Sequence, residues 1–232
     1  MTTPTSDLIV LDGDGVIFDY RKAFPGVWKR AFGTDIEMVR PDAYHADTAY
    51  GITWDSEAQM QHFFSHFGEE AWATMPLMGG ADEACRLLAG AGYRLVIVSS
   101  MNPEFAAARK KNCEAFGLPI EAVHAVRRTG ADDHNPKLAT LHALKPLALV
   151  DDLKANFEGL AGIHRAFIHY CRFDCPSIRY TGAEADTTHG SLLDFARFWL
   201  AARRPAGTDC GAGFSCLPGK IMPRKVQDLR GM

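Results

Sequence analysis

Apolar residues from position 81 onward alternate between two patterns, a helical spacing of three and four residues and short continuous runs. The spaced pattern predicts amphipathic helices, and the continuous runs predict strands that are buried on both faces. Helices are predicted over 81–91, 103–116, 136–144, 152–160 and 191–202, and strands over 8–11, 94–99, 120–126, 147–150 and 164–170. Strands that alternate with helices through short connections form parallel sheets with right-handed crossovers, so we expect an α/β core.

Residues 20–75 interrupt this alternation with two helical stripes of apolar residues. The first stripe joins Ala23, Phe24, Val27, Trp28, Ala31 and Phe32, and the second joins Met60, Phe63, Phe64 and Phe67. We therefore expect a helical cap over 20–75, inserted into a core made of 1–19 and 76–203. The aromatic residues either line an apolar substrate pocket or form the cap's own core, and their spacing favours the second interpretation.

Composition and charge narrow the class of protein. The chain has 232 residues, 47% of them hydrophobic, which is enough to bury a core in one domain with a small insertion. A net charge of -3 gives no attraction to nucleic acid or to an anionic membrane surface. Without an apolar run long enough to span a membrane or a signal-peptide pattern, the chain is expected to be cytoplasmic.

The cysteines and the C-terminal segment carry little chemistry of their own. The spacings of the six cysteines match no zinc-binding pattern, which favours reduced thiols. From Arg203 onward the chain has no periodicity and carries six Lys or Arg residues against two Asp. We therefore expect residues 204–232 to form an irregular basic tail.

The first predicted strand, 8–11, leads directly into Asp12-Gly13-Asp14-Gly15. Two carboxylates held this close repel each other, so the arrangement makes sense mainly if a cation or a shared proton offsets the repulsion. A calcium-binding EF-hand loop is excluded, because its fifth, sixth and twelfth positions would hold Val16, Ile17 and Ala23. The alternatives are a hard-metal site with a carboxylate left for chemistry, or a solvated acidic turn.

Three further polar features stand at predicted strand ends or helix starts. Ser99 and Ser100 end the second strand, Lys137 stands in the first turn of a helix, and Asp151 and Asp152 end the strand 147–150. Each has a plainer interpretation: a serine hydroxyl that caps a turn, a solvated lysine, and a helix N-cap. Four other basic residues compete with Lys137 for a cationic role: Lys110, Lys111, Arg127 and Arg128.

Taken in this order, the four features resemble the motifs of the haloacid dehalogenase superfamily: an Asp-x-Asp, a Ser or Thr, a Lys and an acidic pair. The resemblance covers about residues 7–160. It implies a Rossmann-like parallel sheet with a helical cap inserted after the first strand, which is where residues 20–75 lie. It also implies a catalytic site at the carboxyl ends of the strands.

The resemblance implies a role for each of these residues. Asp12 would attack phosphorus and form an aspartyl-phosphate, and Asp14 would protonate the leaving group and then activate water. Ser99, Ser100 and Lys137 would bind the substrate phosphate, with Lys137 also screening Asp12. Mg²⁺ would be held by the side chains of Asp12 and Asp152 and by the Asp14 carbonyl, with Asp151 behind them or bound through water.

Asp14 distinguishes among the activities of the superfamily. Members that dehalogenate have no Asp two residues after the nucleophile, and transporting ATPases have Thr there, so Asp14 favours a phosphatase acting on a small phosphorylated metabolite. A 5′-nucleotidase is a variant of this prediction. The alternatives are a phosphomutase that uses the same intermediate, and a non-catalytic binding protein on the same fold.

Overall fold

The computed structural model describes residues 7–127 and 135–203, which form a six-stranded parallel sheet with helices around it. The strands are β1 (Leu8–Leu11), β2 (Arg94–Ser100), β3 (Ala122–Val126), β4 (Ala148–Asp151), β5 (His164–Ile168) and β6 (Thr187–His189). Their order in the sheet is β3-β2-β1-β4-β5-β6. The predicted parallel α/β core is confirmed, with β1 paired to β2 on one side and to β4 on the other.

β1 is buried on both faces because its residues are apolar without interruption. Ile9 and Leu11 belong to one hydrophobic cluster, while Leu8 and Val10 belong to another on the opposite side of the sheet. Alternate side chains of a strand point to opposite faces, so the two clusters are the two layers of a doubly covered sheet. This explains why the strand has no alternation of apolar and polar residues.

The helices that the described residues form are bounded as follows. They are α1 (Tyr20–Phe32), α2 (Ala46–Ala49), α3 (Glu57–Ser65), α4 (Glu69–Ala73), α5 (Ala81–Gly90), α6 (Ala106–Ala115), α7 (Leu138–Leu144), α8 (Pro176–Arg179) and α9 (Leu192–Ala202). α1 begins at the N-cap Asp19, whose carboxylate accepts from the Lys22 N–H, and ends at Gly33 in the left-handed conformation. Both ends follow the usual capping chemistry.

The segment 20–75 is helical, as its apolar stripes predict. Phe24 on α1 and Phe63 on α3 pack with ring centroids 4.4 Å apart, and both are buried. Their cluster is continuous with the layer under the sheet that contains Ile9 and Leu11. The stripes therefore serve mainly as core, and the exception is Phe64, which stays 46% exposed. The division into core and cap remains a prediction.

The structure differs from the predicted elements in two places. The helix predicted over 152–160 is a single 3-10 turn, Lys154–Phe157, because the chain becomes extended at Glu158 and left-handed at Gly159. β6 and α8 were not predicted: β6 is three polar residues at the sheet edge, and α8 is a single turn. Elements this short carry too few apolar positions to show a period.

Three other expectations concern the membrane, the thiols and the tail. No helix in the described part of the chain is long and apolar enough to cross a membrane. Cys85, Cys113, Cys171 and Cys175 are buried free thiols, whereas Cys210 and Cys216 lie outside the described residues. The predicted basic tail, 204–232, lies outside them as well.

Candidate functional site

The carboxyl ends of β1, β2 and β4 meet at one point on the sheet edge. β1 lies between the other two strands, so Asp12, Ser99 and Asp152 come together although up to 140 residues of chain separate them. The Asp12 N–H donates to the Val150 carbonyl at 2.9 Å, which fixes the end of β1 against β4. The order of the strands changes direction at β1, and such switch points are where open α/β sheets bind ligands.

A cavity of about 330 Å³ opens at this point. Every predicted site residue except Asp151 lines it directly, namely Asp12, Asp14, Ser99, Ser100, Lys137 and Asp152. Residues that no motif singled out complete the wall, among them Tyr20, Arg21, Tyr44, His45, Asn156 and Tyr170. Four of these come from the segment 20–75, so this segment contributes to the cavity wall.

Three buried carboxylates, of Asp12, Asp151 and Asp152, offer oxygen atoms that lie within 4.8 Å of one another. Burial raises the pKa of Asp151 to about 6, with Asp12 adding to the shift and Lys137 opposing it. Burial, Asp12 and Asp151 also raise the pKa of Asp152 well above its usual value. Carboxylates in this arrangement favour a bound cation, and hard oxygen ligands suit Mg²⁺.

Lys137 is fully buried among these carboxylates. Its ammonium group lies 2.8 Å from Asp12 Oδ1 and 2.6 Å from Asp151 Oδ2. Burial alone would lower the pKa of Lys137, but Asp12 and Asp151 raise it above its ordinary value, so the ammonium stays charged. The solvated-helix interpretation of Lys137 is therefore wrong.

The competing basic residues that the structure describes are engaged elsewhere. Lys110 donates to the Ile120 carbonyl, Lys111 pairs with Glu69, and Arg127 donates to Asn102. Arg128 lies outside the described residues. Lys137 thus contributes the ammonium that contacts Asp12.

Asp151 positions Lys137. Its two carboxylate oxygens accept from the Asn156 amide at 2.9 and 3.0 Å, and Oδ1 also accepts from the Leu153 N–H at 2.9 Å. With Lys137 on Oδ2, both oxygens already have donors. Asp151 is therefore less available to a metal than Asp152, and its place behind the metal or bound to it through water stays a prediction.

Sequence reasoning also missed Arg109 on α6, which contacts a predicted site residue directly. Its side chain is fully buried, and its Nη2 donates to Asp14 Oδ1 at 2.5 Å. The guanidinium lies over the rings of Phe18 and Trp72, 4.3 and 4.8 Å from their centroids. Asp14 and Asp12 therefore have separate cationic partners, Arg109 and Lys137.

A sequence signal for Arg109 exists. Ala108, Arg109, Asn112 and Cys113 are the buried residues of α6, and they lie at the spacing of one helical face. Two polar residues on the apolar face of a helix require buried partners. Asn112 donates to the Met75 carbonyl at 3.0 Å, and Arg109 reaches Asp14.

The turn between Asp12 and Val16 depends on Gly15. Its φ is +78°, and a Cβ at this position would lie 2.1 Å from Asp152 Oδ2. A methyl group therefore cannot be added without displacing the Asp152 carboxylate. Gly162 has a similar φ of +74°, but a Cβ there would point into open space, with none of the described residues packed within 4 Å, which makes it a matched control.

We expect Gly15→Ala to lose more unfolding free energy than Gly162→Ala. Both variants carry the left-handed strain of about 1–2 kcal/mol, and Gly15→Ala adds overpacking of about 1–3 kcal/mol. Urea denaturation of the two variants in parallel measures the difference. Equal losses would mean that the turn does not need close approach to Asp152.

Comparisons with known proteins identify the fold. No protein-family model matches the chain, and no curated protein matches it. Solved structures do match, and the three named next share 15–19% identity with this chain over 84% of its length and 98–99% of theirs. They include protein tyrosine kinase A of Mycobacterium tuberculosis (19% identity, TM-score 0.58), a predicted phosphatase from Clostridium acetobutylicum (15%, 0.55) and L-2-haloacid dehalogenase from Xanthobacter autotrophicus (16%, 0.53).

These similarities, together with the sheet and the acidic residues, show which fold the chain has. A parallel α/β sheet with helices α1–α4 between its first strand and α5, and with acidic residues at the switch point, defines the class of architecture. Within that class, the chain has the fold of the haloacid dehalogenase superfamily, as its motifs predicted. The matched proteins differ in their described activities, so the fold alone does not choose among them.

Proposed function

We propose that this protein is a Mg²⁺-dependent phosphomonoester hydrolase that acts through an aspartyl-phosphate on Asp12. The observation that carries the proposal is the separate pairing of two neighbouring carboxylates in one cavity. Asp12 contacts the ammonium of Lys137, and Asp14 contacts the guanidinium of Arg109. Different partners give the two carboxylates different properties, which a nucleophile and a proton donor require.

The charges around Asp12 fit a divalent cation. Three buried carboxylates face one buried ammonium, which leaves two negative charges to be offset. Asp12 and Asp152 would hold Mg²⁺ with their side chains, and the Asp14 carbonyl would be a further ligand. When bound, the ion offsets negative charge on the transferring phosphoryl group.

The proposed reaction has two displacements. A carboxylate oxygen of Asp12 forms a bond to phosphorus while the bond to the leaving oxygen breaks, and Asp14 gives its proton to that oxygen. Asp14 then takes a proton from a water molecule, which attacks the same phosphorus and releases inorganic phosphate from Asp12. Burial raises the pKa of Asp14 while Arg109 opposes this, so the group keeps a proton to higher pH than an ordinary Asp.

Lys137 and the serines would act on the phosphoryl oxygens. Lys137 is placed to offset charge on both Asp12 and the phosphate, because its ammonium already contacts the nucleophile. Ser99 and Ser100 line the same cavity and would donate hydroxyl hydrogen bonds. Because Asp151 and Asn156 hold the lysine in place, the electrostatic arrangement exists before substrate binds.

Metal dependence is the first experimental test. Protein stripped with a chelator is expected to release no phosphate from a panel of phosphomonoesters, and added Mg²⁺ is expected to restore release. Asp152→Asn should raise the Mg²⁺ concentration for half-maximal rate at least about tenfold, since one anionic ligand is lost. Asp82→Asn, which removes an exposed carboxylate on α5, is the control and should leave the Mg²⁺ dependence unchanged. Equal rates with and without Mg²⁺ would contradict the proposal, and phosphate retained on a sugar product would indicate a mutase.

The pairing of Arg109 with Asp14 predicts a shift in pH dependence. Arg109→Met removes a cation that lowers the pKa of Asp14, so that pKa rises. Protonated Asp14 is needed for cleavage, and kcat/KM reports the free enzyme, so the alkaline limb of the kcat/KM profile should move to higher pH. Arg86→Met, which removes an exposed arginine on α5, should leave the profile unchanged. An unmoved limb in Arg109→Met would exclude Asp14 as the acid.

A further inference from the structure

A second cavity of about 370 Å³ adjoins the one that contains Asp12. The two cavities share three lining residues, Asp14, Tyr20 and Ser100. Asp14 is the proposed proton donor, and Ser100 is a proposed phosphate ligand. The second cavity therefore begins where a phosphate bound at Asp12 would meet its alcohol.

The rest of this second cavity is lined by aromatic and apolar side chains. They are Phe64, Phe67, Trp72, Met101 and Phe105, with Asn102 as the one side-chain amide. Two stacked pairs contribute to the wall: Tyr20 with Phe67, at 4.9 Å and 20° between rings, and Trp72 with Phe105, at 5.9 Å and 21°. Among the described residues that line it, Asp14 is the one that carries a charge, and Arg109 pairs with that carboxylate.

Phe64 distinguishes this lining from ordinary core. Its neighbour Phe63 is completely buried, whereas Phe64 keeps 46% of its surface exposed and lines the cavity. Trp72 adds a buried indole N–H that has no hydrogen-bond partner among the described residues. Exposed apolar rings beside an unpaired donor are features of a binding site.

The geometry of phosphoryl transfer indicates that the leaving group of the substrate occupies this second cavity. In an in-line displacement the leaving oxygen lies opposite Asp12 and within reach of its proton donor, Asp14. Of the other cavities that share a lining residue with the Asp12 cavity, one is formed around Arg172 and Arg179 and one around Trp54 and Met60. Neither is lined by Asp14, so the alcohol side of the substrate extends among the aromatic residues.

We infer that the substrate is a phosphomonoester whose alcohol carries an uncharged aromatic ring, and that this ring stacks in the cavity lined by Phe64, Phe67, Trp72 and Phe105. The inference rests on the proposed function for the position of the phosphate. An aromatic ring gains stacking contacts there beyond the burial of its area. A polyol such as a sugar would leave hydroxyl groups without partners against the rings, which penalises binding.

The test compares three primary alkyl esters, whose leaving alkoxides are similarly basic. They are benzyl phosphate, cyclohexylmethyl phosphate and glycerol 3-phosphate. We expect kcat/KM to be highest for benzyl phosphate, at least about tenfold above glycerol 3-phosphate. Equal values for benzyl and cyclohexylmethyl phosphate would overturn the aromatic preference, and a preference for glycerol 3-phosphate would overturn the inference altogether.

Phe64→Ala tests whether the preference depends on the aromatic lining, to which Phe64 contributes a ring that also lines the cavity around Trp54 and Met60. Because Phe64 is half exposed on α3, the substitution should leave folding intact. It should lower kcat/KM for benzyl phosphate several-fold, mainly through KM, and leave glycerol 3-phosphate unchanged. Phe198→Ala, which removes an equally exposed ring on α9, is the matched control and should change neither. Equal effects of Phe64→Ala on both substrates would contradict the inference.

A binding measurement separates this inference from the proposed function. If none of the esters releases phosphate, the proposed hydrolase is wrong, and calorimetric titration with phosphonates that cannot be hydrolysed still decides the binding claim. Benzylphosphonate should then bind more tightly than propylphosphonate, and Phe64→Ala should remove the difference. Equal affinities would overturn the inference whatever the catalytic result.

Discussion

Lys137→Met is expected to cost about 3–5 kcal/mol of unfolding free energy, because it removes the ammonium from a buried ion cluster and leaves the carboxylates of Asp12 and Asp151 without that cation. The ammonium lies 2.8 Å from Asp12 and 2.6 Å from Asp151, and all three side chains are buried. Urea denaturation of metal-free protein at neutral pH measures the loss. Phosphate release should disappear as well.

Lys111→Met is the matched control for this variant. Lys111 also forms an ion pair, with Glu69 at 2.8 Å, but both side chains are about two-thirds exposed. Such exposed pairs contribute little to stability, because water screens the two charges. If Lys137→Met were no more destabilising than Lys111→Met, the buried cluster would not depend on its ammonium.

The loss in Lys137→Met should also depend on pH. Burial raises the pKa of Asp151 from 3.8 to about 6 even with Lys137 opposing the shift. A carboxyl group whose folded pKa is raised binds more protons in the folded state, so stability falls as pH rises between the two values. Without Lys137 the folded pKa is higher still, so the window extends upward from about 6. The variant should be closest to the parent at low pH, and a difference that is constant with pH would contradict this account.

Asp12→Asn is expected to lower kcat for phosphate release by about 10⁴-fold or more, the scale seen when a nucleophile is removed. The amide has nearly the volume of the carboxylate, and Lys137 keeps its contact with Asp151. The variant should therefore fold, which circular dichroism verifies. Retention of a tenth or more of the parent's activity in this folded variant would show that Asp12 is not the nucleophile.

Asp14→Asn tests the proposed proton donor, because the loss of rate in this variant should depend on the leaving group of the substrate. Alkyl phosphates need a proton on the leaving oxygen, whereas p-nitrophenyl phosphate does not. The Asp14→Asn variant should therefore lose turnover of alkyl esters while still transferring the phosphoryl group of p-nitrophenyl phosphate to Asp12. Because hydrolysis of the intermediate also needs Asp14, the comparison is made on the first turnover, before that hydrolysis. If the variant lost phosphoryl transfer from p-nitrophenyl phosphate as fully as transfer from alkyl esters, Asp14 would have a role other than protonating the leaving group.

The sequence predicted the main site residues because parallel strands bring their carboxyl ends to one edge. Asp12, Ser99 and Asp152 each follow an apolar run, so their meeting point follows from the alternation alone. The choice of Lys137 among several basic residues could not follow from spacing. The family resemblance selected Lys137, and the fold agrees with that choice, because it buries Lys137 beside Asp12 and leaves Lys111 two-thirds exposed.

The contacts of Arg109 and of the residues that line the second cavity could not be predicted from local sequence patterns. Arg109 is 95 residues from Asp14 along the chain, and its contact depends on how α6 packs against the inserted segment. Phe63 and Phe64 are identical in type and adjacent, yet one is core and the other lines a cavity. Helical period assigns a face to each residue, but only tertiary packing decides what that face meets.

The central claim is that the phosphoryl group passes through Asp12, and trapping that intermediate tests it most directly. Asp14→Asn should form the intermediate from p-nitrophenyl phosphate and Mg²⁺ but hydrolyse it slowly, because the base that activates water is missing. Stopped-flow absorbance should show a burst of about one p-nitrophenolate per protein, and peptide mass spectrometry after acid quenching should find the phosphoryl group on Asp12. A burst with the group on another residue, or turnover without a burst or a labelled peptide, would contradict the account.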